Sequence, residues 1–433
     1  MKIYLHNIGC RLNFSELETI ARRLMVAGHE TVTEPDKADI AIINSCIVTA
    51  QAAADTRSAI RRINNSRVSD IWVTACYSPL AVDELQNLGV SLRFVSNEDK
   101  ELIPELIDPI TKGQPADFAS ALTFRGQDRE TGGRTRAFVK VQDGCNNRCT
   151  YCITSIARGR ERSRPLLEII DEINARTEAG YKEIVLTGVH LGSYGRDFGT
   201  GLSLYNLIHT LLQQTDVPRL RLSSLEPWEL TPNFFELWQN KRLMPQLHLP
   251  LQSGSDSILK TMARRINTSQ FQGLIQTART AIPDLHVGTD IIAGFPGETE
   301  KDFEQTLNFA REMAFARIHV FGYSKRPGTL AATIPMQIPG KIKKERVKRL
   351  LELATELSTE FHRQNDGKTR QVLWESAGSH LSGWTDNYVR VISFPLRADL
   401  INTITDTLLS KPSASGLQGD PVDAARVGEG SSD

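Results

Sequence analysis

VQDGCNNRCTYC, residues 141–152, is the stretch on which the reading of this chain turns. It carries Cys145, Cys149 and Cys152, three of the six cysteines in 433 residues. The other three, Cys10, Cys46 and Cys76, lie well upstream and far apart in sequence. Three thiolates on a 4Fe–4S cluster occupy three irons and leave the fourth open to a ligand. Two sets of three therefore suggest two clusters, each with a vacant iron where chemistry can happen. Two blander readings compete for the tight set. Cys149 and Cys152 alone form a C-x-x-C redox pair, which leaves Cys145 surplus. A zinc knuckle wants a fourth Cys or His nearby, and none follows within the loop.

Single cysteines such as Cys10, Cys46 and Cys76 are most often small buried hydrophobes. Their positions favour another reading. Each follows a short strand-like run: 2–5, 39–43 and 71–74. Strands alternating with helical segments predict a parallel sheet, and the loops at the carboxyl ends of its strands form a ligand-binding edge. All three thiols then share that edge, a placement that ligands need and buried thiols do not.

The length predicts about three domains. Lys+Arg and Asp+Glu both number 51, so the net charge is zero and announces no nucleic-acid partner. No run reaches membrane-spanning length. The chain enters a strand at once (MKIYLHNIGC), without the apolar stretch of a signal peptide. Thiols kept free for clusters imply a reducing compartment, the cytoplasm.

The predicted fold class is α/β in three parts. Residues 1–110 form a parallel-sheet α/β domain. There Ser15-Glu16-Leu17-Glu18 reads as a capping box opening a helix that buries Leu17, Ile20, Ala21 and Leu24 and ends at Gly28. A second helix is predicted over 52–63. Residues 110–135 are polar and aperiodic and read as a linker. Residues 131–365 form the second domain, with strands at 137–142, 183–187, 219–224, 246–250, 286–292 and 317–321. Helical patterns lie between them, one starting after Pro165 and ending at Gly180. Six such units predict a partial (β/α)6 barrel with its functional loops after the strands. A long amphipathic helix over 341–364 turns Val347, Leu350, Leu351, Ala354, Leu357 and Phe361 inward. Residues 367–433 form a small β-rich module to about residue 400, and the polar chain from Ser410 onward reads as a disordered tail.

C-x3-C-x2-C with Tyr151 before its last cysteine resembles the motif of radical S-adenosylmethionine (SAM) enzymes. In those enzymes the open iron chelates the amine and carboxylate of SAM, and an electron cleaves the sulfonium to release a 5′-deoxyadenosyl radical. The phrases IGCRLN, NSCIVT, ARGRERSRP, EIVLTGVHLGSYG, RLSSLEP, HLPLQSGSD, TDIIAGFPGET and FGYSKRPGT extend the likeness over most of the chain. Together they resemble the methylthiotransferases, two-cluster radical SAM enzymes that put sulfur and a methyl group on an unactivated C–H carbon.

The resemblance implies that Cys145, Cys149 and Cys152 hold the SAM-cleaving 4Fe–4S cluster, and that Cys10, Cys46 and Cys76 hold an auxiliary 4Fe–4S cluster carrying the sulfur. It implies that Thr187 and Gly188 meet the SAM amino group, and that Glu226 and Tyr151 face SAM. Structurally, Thr187 and Gly188 read equally as a strand-end turn and Glu226 as a surface carboxylate. The last module is similar to a TRAM domain, a small RNA-binding β-barrel. Ser155 and Gly322 stand where the family usually has proline. NSCIVT, ADTRSAIRR and SKRPGT look most like the subgroup acting on N6-threonylcarbamoyladenosine at position 37 of tRNA. The alternatives are the isopentenyladenosine and ribosomal-protein aspartate subgroups, or a cluster-containing RNA-binding protein without catalysis. The implied partners are tRNA, an electron donor such as flavodoxin or ferredoxin and a sulfur source, with no membrane. Alternating Arg158, Arg160, Arg162 and Arg164, and the run Lys341, Lys343, Lys344, Arg346, Lys348 and Arg349, are candidate phosphate contacts, with a solvated helical face as the plain alternative for the second run.

Overall fold

The computed structural model describes residues 1–66, 68–77, 82–109, 112 and 135–422. The linker over 110–135 thus lies almost wholly outside the described residues, as does the chain after Val422.

The first domain runs β1 (Lys2–Asn7), α1 (Arg11–Val26), β2 (Glu30–Val32), β3 (Ile40–Ser45), α2 (Ala50–Asn65), β4 (Asp70–Ala75), α3 (Val82–Gln86), β5 (Arg93–Phe94) and α4 (Ile103–Ile107). Its strands form a parallel sheet in the order β2-β1-β3-β4-β5. Ile40, Ala41, Ile42 and Ile43 are all buried, the continuous apolar run expected of a central strand covered on both faces. The capping box at Ser15 is not formed. Helix α1 begins four residues earlier, directly after Cys10, and the Ser15 hydroxyl donates instead to the carbonyl of Phe138 in the next domain at 2.7 Å. Tertiary contact has claimed the side chain that local capping would have used.

The second domain runs β6 (Arg136–Lys140), β7 (Gln142–Asp143), α5 (Thr154–Arg158), β8 (Arg162–Ser163), α6 (Leu166–Glu178), β9 (Glu183–Thr187), α7 (Leu204–Gln214), β10 (Arg219–Leu222), β11 (Gln246–His248), α8 (Asp256–Thr261), α9 (Thr268–Ala281), β12 (His286–Ala293), α10 (Glu300–Glu312), β13 (Arg317–Gly322) and α11 (Gly340–Arg363). Parallel sheets β6-β9-β10 and β11-β12-β13 are joined by bridges from Leu220 to Leu243 and from Ser224 to His248, giving a six-stranded arc. It stays open because β6 has only β9 as a strand neighbour: α1 lies against it, with Phe14 edge-on to the Phe138 ring. Ile184, Leu186, Leu220, Leu222, Leu247, Val287 and Ile291 turn toward the helices and form the main core. On α11, Leu350 and Leu353 are buried whereas Leu351 is half exposed, so the predicted inner face is rotated away from Leu351. The helix packs on β13, where a Cβ on Gly322 would lie 3.4 Å from a Val347 methyl.

The third domain is a closed barrel of β14 (Thr369–Ala377), β15 (His380–Thr385), β16 (Arg390–Ser393), β17 (Ile404–Ser413) and β18 (Gly416–Pro421). The expectation that order fades at residue 400 and that a tail begins at Ser410 is therefore wrong. Residues 404–421, which include the start of that polar chain, supply the two closing strands. Their small residues are a packing requirement: a Cβ on Gly419 would stand 2.3 Å from Val391 and 2.8 Å from Thr407. Fully buried Trp374 fills the centre, and its indole N–H donates to Thr405 at 2.8 Å.

This barrel stoppers the amino end of the arc. Arg219 donates to the carbonyls of Trp384 and Gln371, Arg221 stacks on Tyr388 at 4.7 Å, and Arg136 pairs with Glu375. Only the carboxyl ends of the strands are left for a ligand. A chain stopped after Thr403 loses β17 and β18, and should melt about 5 °C or more below a chain stopped after Val422 in thermal scans; equal melting temperatures would contradict their structural role.

Candidate metal centres and SAM site

Cys10, Cys46 and Cys76 follow β1, β3 and β4, three adjacent strands, and so meet at one sheet edge. Gly9 turns the chain there with φ +118°, and a Cβ on it would lie 2.9 Å from Cys46 Cβ and 3.2 Å from its Sγ. Cys46 and Cys76 are buried and Cys10 is exposed. Burial pushes the Cys46 thiol up to about 12. Such thiols ionise when a metal takes the place of the proton.

The tight set sits in the loop that β7 and β8 close at its base by antiparallel pairing. Gly144 makes that closure possible, since a Cβ would fall 1.9 Å from the Arg160 carbonyl oxygen. The loop is pinned by Cys145 N–H to the Gly159 carbonyl (3.0 Å), Thr150 N–H to Met262 (3.1 Å) and Ala331 N–H to Thr150 (2.8 Å). Burial raises the Cys145 thiol to about 12, and the Asn147 N–H donates to its sulfur at 3.4 Å. All six cysteines are free, and donors from Asn147, Arg158 and Arg264 point at sulfurs of both sets. That chemistry suits three-thiolate iron–sulfur sites, whose sulfurs accept hydrogen bonds.

Thr187 ends β9, and the space over Gly188 is filled by Gln142, whose Oε1 would be 3.0 Å from a Cβ there. Both residues thus adjoin the base of the tight loop. Glu226 is no loose surface carboxylate. It holds Arg264 by two bonds of 3.1 and 2.6 Å, and Arg264 Nη1 lies 3.9 Å from Cys149 Sγ. Arg264 also stacks on Trp228 at 4.4 Å and keeps a buried Nε without an acceptor. Tyr151 faces the same group, its hydroxyl pushed well up by burial. The sequence reading missed Arg264, which lies in MARRINT with no motif spacing to the cysteines; only the fold brings it to Glu226.

The alternating arginines divide. Arg158 is buried, and Arg164 is tied to Glu172 and the Lys140 carbonyl; the half-exposed Arg162 reaches Glu98 at 3.8 Å, and Arg160 is exposed. Of the second run, Arg346 and Arg349 pair with Glu298, Glu300 and Glu304, and Lys348 with Glu352. Arginine's planar fork had found carboxylates inside the fold in most of these cases. Ser155 lies within α5, so the segment after Cys152 is helical despite the missing proline.

Arg158 joins the two sets. Its Nε donates to Cys76 Sγ at 3.1 Å, Nη1 to Glu16 and Asp143 at 2.9 and 3.0 Å, and Nη2 to Asn13 at 2.7 Å. Lys100 adds bonds to Glu16 and Asp143.

The family model described as Radical SAM superfamily matches residues 139–310, and the one described as Uncharacterized protein family UPF0004 matches residues 2–96. The chain is 37% identical to the threonylcarbamoyladenosine tRNA methylthiotransferase MtaB of Bacillus subtilis, over 94% of this chain and 93% of that protein. It belongs to the radical SAM methylthiotransferase family. The tRNA-2-methylthio-N(6)-dimethylallyladenosine synthase of Erythrobacter litoralis is 32% identical, with 87% of both chains covered. The radical SAM methyltransferase TsrM of Kitasatospora setae shares the fold with a TM-score of 0.57 at 13% identity, over 88% of this chain and 80% of that one. As a radical SAM protein, the chain uses SAM and a 4Fe–4S cluster. No helix among the described residues is long and apolar enough to cross a membrane.

The Glu16 carboxyl yields a pH test. Burial opposes its charge, yet Arg158, Lys100 and Lys140 outweigh burial and bring its pKa from 4.5 to about 2. A carboxyl depressed in the folded state contributes stability above its unfolded value, and that contribution is lost as pH falls through the folded one. The melting temperature of the apoprotein should therefore drop between pH 4.5 and about 2. Glu16→Gln should flatten this part of the profile; an unchanged slope would remove the network from the account of acid stability.

Proposed function

We propose that this protein methylthiolates C2 of N6-threonylcarbamoyladenosine at position 37 of tRNA, with SAM as methyl donor and as radical source. The observation that carries the proposal is the pair of cysteine triplets, each at the carboxyl edge of its own parallel sheet, with Arg158 from the segment after the tight set bonded to Cys76 of the other. Cys145, Cys149 and Cys152 would hold the SAM-binding cluster, and Cys10, Cys46 and Cys76 a second one. When bound, the two clusters supply one-electron cleavage of SAM and a sulfur for transfer.

The surrounding residues bind and orient. Thr187 and Gly188 offer strand-end groups beside the tight loop for the SAM amine. Arg264, held by Glu226 and close to Cys149, brings a guanidinium to the SAM carboxylate. Tyr151, half-buried on the same side as Arg264, narrows the access of water there. Arg158 keeps the two cysteine edges in register, so that a base splayed from the anticodon loop can reach both. The threonylcarbamoyl substrate is supported by the greater identity to the Bacillus subtilis enzyme than to the dimethylallyladenosine synthase. An electron donor of the flavodoxin or ferredoxin type and a sulfur source would be required, in a reducing compartment such as the cytoplasm that leaves six thiols free.

Anaerobic reconstitution should load about eight irons per chain, and the Cys10/Cys46/Cys76→Ala triple variant about four. Cys149→Ala should abolish 5′-deoxyadenosine formation, whereas Cys46→Ala should spare some of it and stop methylthio transfer. Equal loss of both activities in both folded variants would refute the division of labour. In paired assays read by nucleoside mass spectrometry, tRNA bearing threonylcarbamoyladenosine should be converted and tRNA bearing isopentenyladenosine hardly at all. The opposite preference would overturn the substrate and leave the family membership standing.

A further inference from the structure

A cavity of about 280 Å³ opens between the two cysteine edges. Its walls include Ile47, Ala53, Arg57, Tyr77, Ile153 and Arg326. Ile47 and Tyr77 directly follow Cys46 and Cys76, and Ile153 directly follows Cys152, so the cavity is walled by chain neighbours of both sets. Two guanidiniums face it against one carboxylate, Glu84. Arg57 is held by the Tyr77 hydroxyl at 2.7 Å and by Glu84 at 2.9 Å. Arg326 is different. It is 9% exposed, forms no ion pair among the described residues, and has the Ser324 hydroxyl at 2.6 Å as its side-chain acceptor. Its Nε is buried with no acceptor. Burial itself disfavours its charge. A buried cation with five N–H donors and so few acceptors is costly unless an anion arrives.

We infer that this cavity receives the threonyl end of the modified base, with Arg326 and Arg57 taking its carboxylate. The assignment rests on the methylthiotransferase reading given above. On adenine, N6 and C2 flank the same ring nitrogen, so a subsite for the N6 substituent must adjoin the place where C2 meets both clusters. The cavity satisfies that condition through its three cysteine-adjacent residues. Ile47, Ala53 and Ile153 offer apolar contact for the threonyl methyl group, and Tyr77 a hydroxyl near its polar edge. An isopentenyl group would fill the apolar part and leave Arg326 unpaired, and an unpaired buried polar group rejects an analogue strongly. Arg57 and Arg326 are therefore specificity residues that read the substituent, outside the cysteine ligands and the Arg264 site.

The test is binding of anticodon stem-loops carrying threonylcarbamoyladenosine or isopentenyladenosine to iron-loaded enzyme, followed by fluorescence anisotropy without reductant. The wild-type enzyme should favour the threonylcarbamoyl loop. Arg326→Met and Arg57→Met should each lower that preference about tenfold or more at unchanged iron content, and Arg57→Lys should recover part of it. Arg57 lies on the outer side of α2 and is partly exposed, so its replacement leaves the core intact if the buried Arg326 does not tolerate change. Variants that keep the full preference, or that weaken both loops equally, would overturn the cavity assignment and leave the enzymatic reading intact. A wild-type preference for the isopentenyl loop would overturn the substrate reading and this subsite with it.

Discussion

The buried salt-bridge network around Arg158 is the constraint on which the rest depends. Arg158, Lys100 and Lys140 face Glu16, Asp143 and Glu101 where the first two domains meet. Taking such charges out of water is expensive, so the arrangement holds only when each charge finds partners in good geometry. Here it does: Arg158 alone has four side-chain partners, one of them a cysteine sulfur. The network thus acts less as a source of stability than as a gauge. Arg158 is carried on α5, directly after the tight cysteine loop, while Glu16 and Asn13 are carried on α1, directly after Cys10. Displacing one domain against the other would break these bonds together and strand the charges. The separation of the two thiol sets is fixed by that penalty.

Two further features confine the chemistry to one place. The C-terminal barrel closes the amino end of the strand arc through Arg136, Arg219 and Arg221. Glycines at positions 9 and 144 let the backbone pass where any side chain would collide, with Cys46 in one case and with the Arg160 carbonyl in the other. The open volume that remains lies at the carboxyl ends of both sheets, where the cysteines, Arg264 and the cationic cavity converge. A reaction that must keep a radical from solvent needs such a confined volume.

Local patterns misled where tertiary partners outbid local ones. Ser15 has the spacing of a helix cap and bonds a neighbouring domain instead. Leu351 fits the helical stripe of α11 but is half exposed, whereas Leu350 and Leu353 are buried. The polar chain from Ser410 looks unable to hold order, yet as far as Pro421 its backbone pairs in a closed barrel where Gly419 leaves no room for a side chain. The arginines after Cys152 look like a phosphate patch because nothing in their spacing tells that carboxylates from distant segments will meet them. Arg264 carried no signal for the same reason, and Arg326 stood in the quoted phrase SKRPGT with nothing there to tell which partners it would meet.

By itself the sequence determined the six cysteines, their grouping in threes, and the strands they follow. Those properties are local, because a strand and the loop after it are written in consecutive residues, so the α/β class and the six cysteine positions could be read directly. Only the tertiary structure decided which charges are buried and which face a ligand. That depends on what distant segments bring to within a few ångströms: Glu226 to Arg264, Glu16 to Arg158, and, among the described residues, no ion-pair partner to Arg326. Electrostatic roles are properties of such meetings, and meetings across the chain are not encoded at any one position.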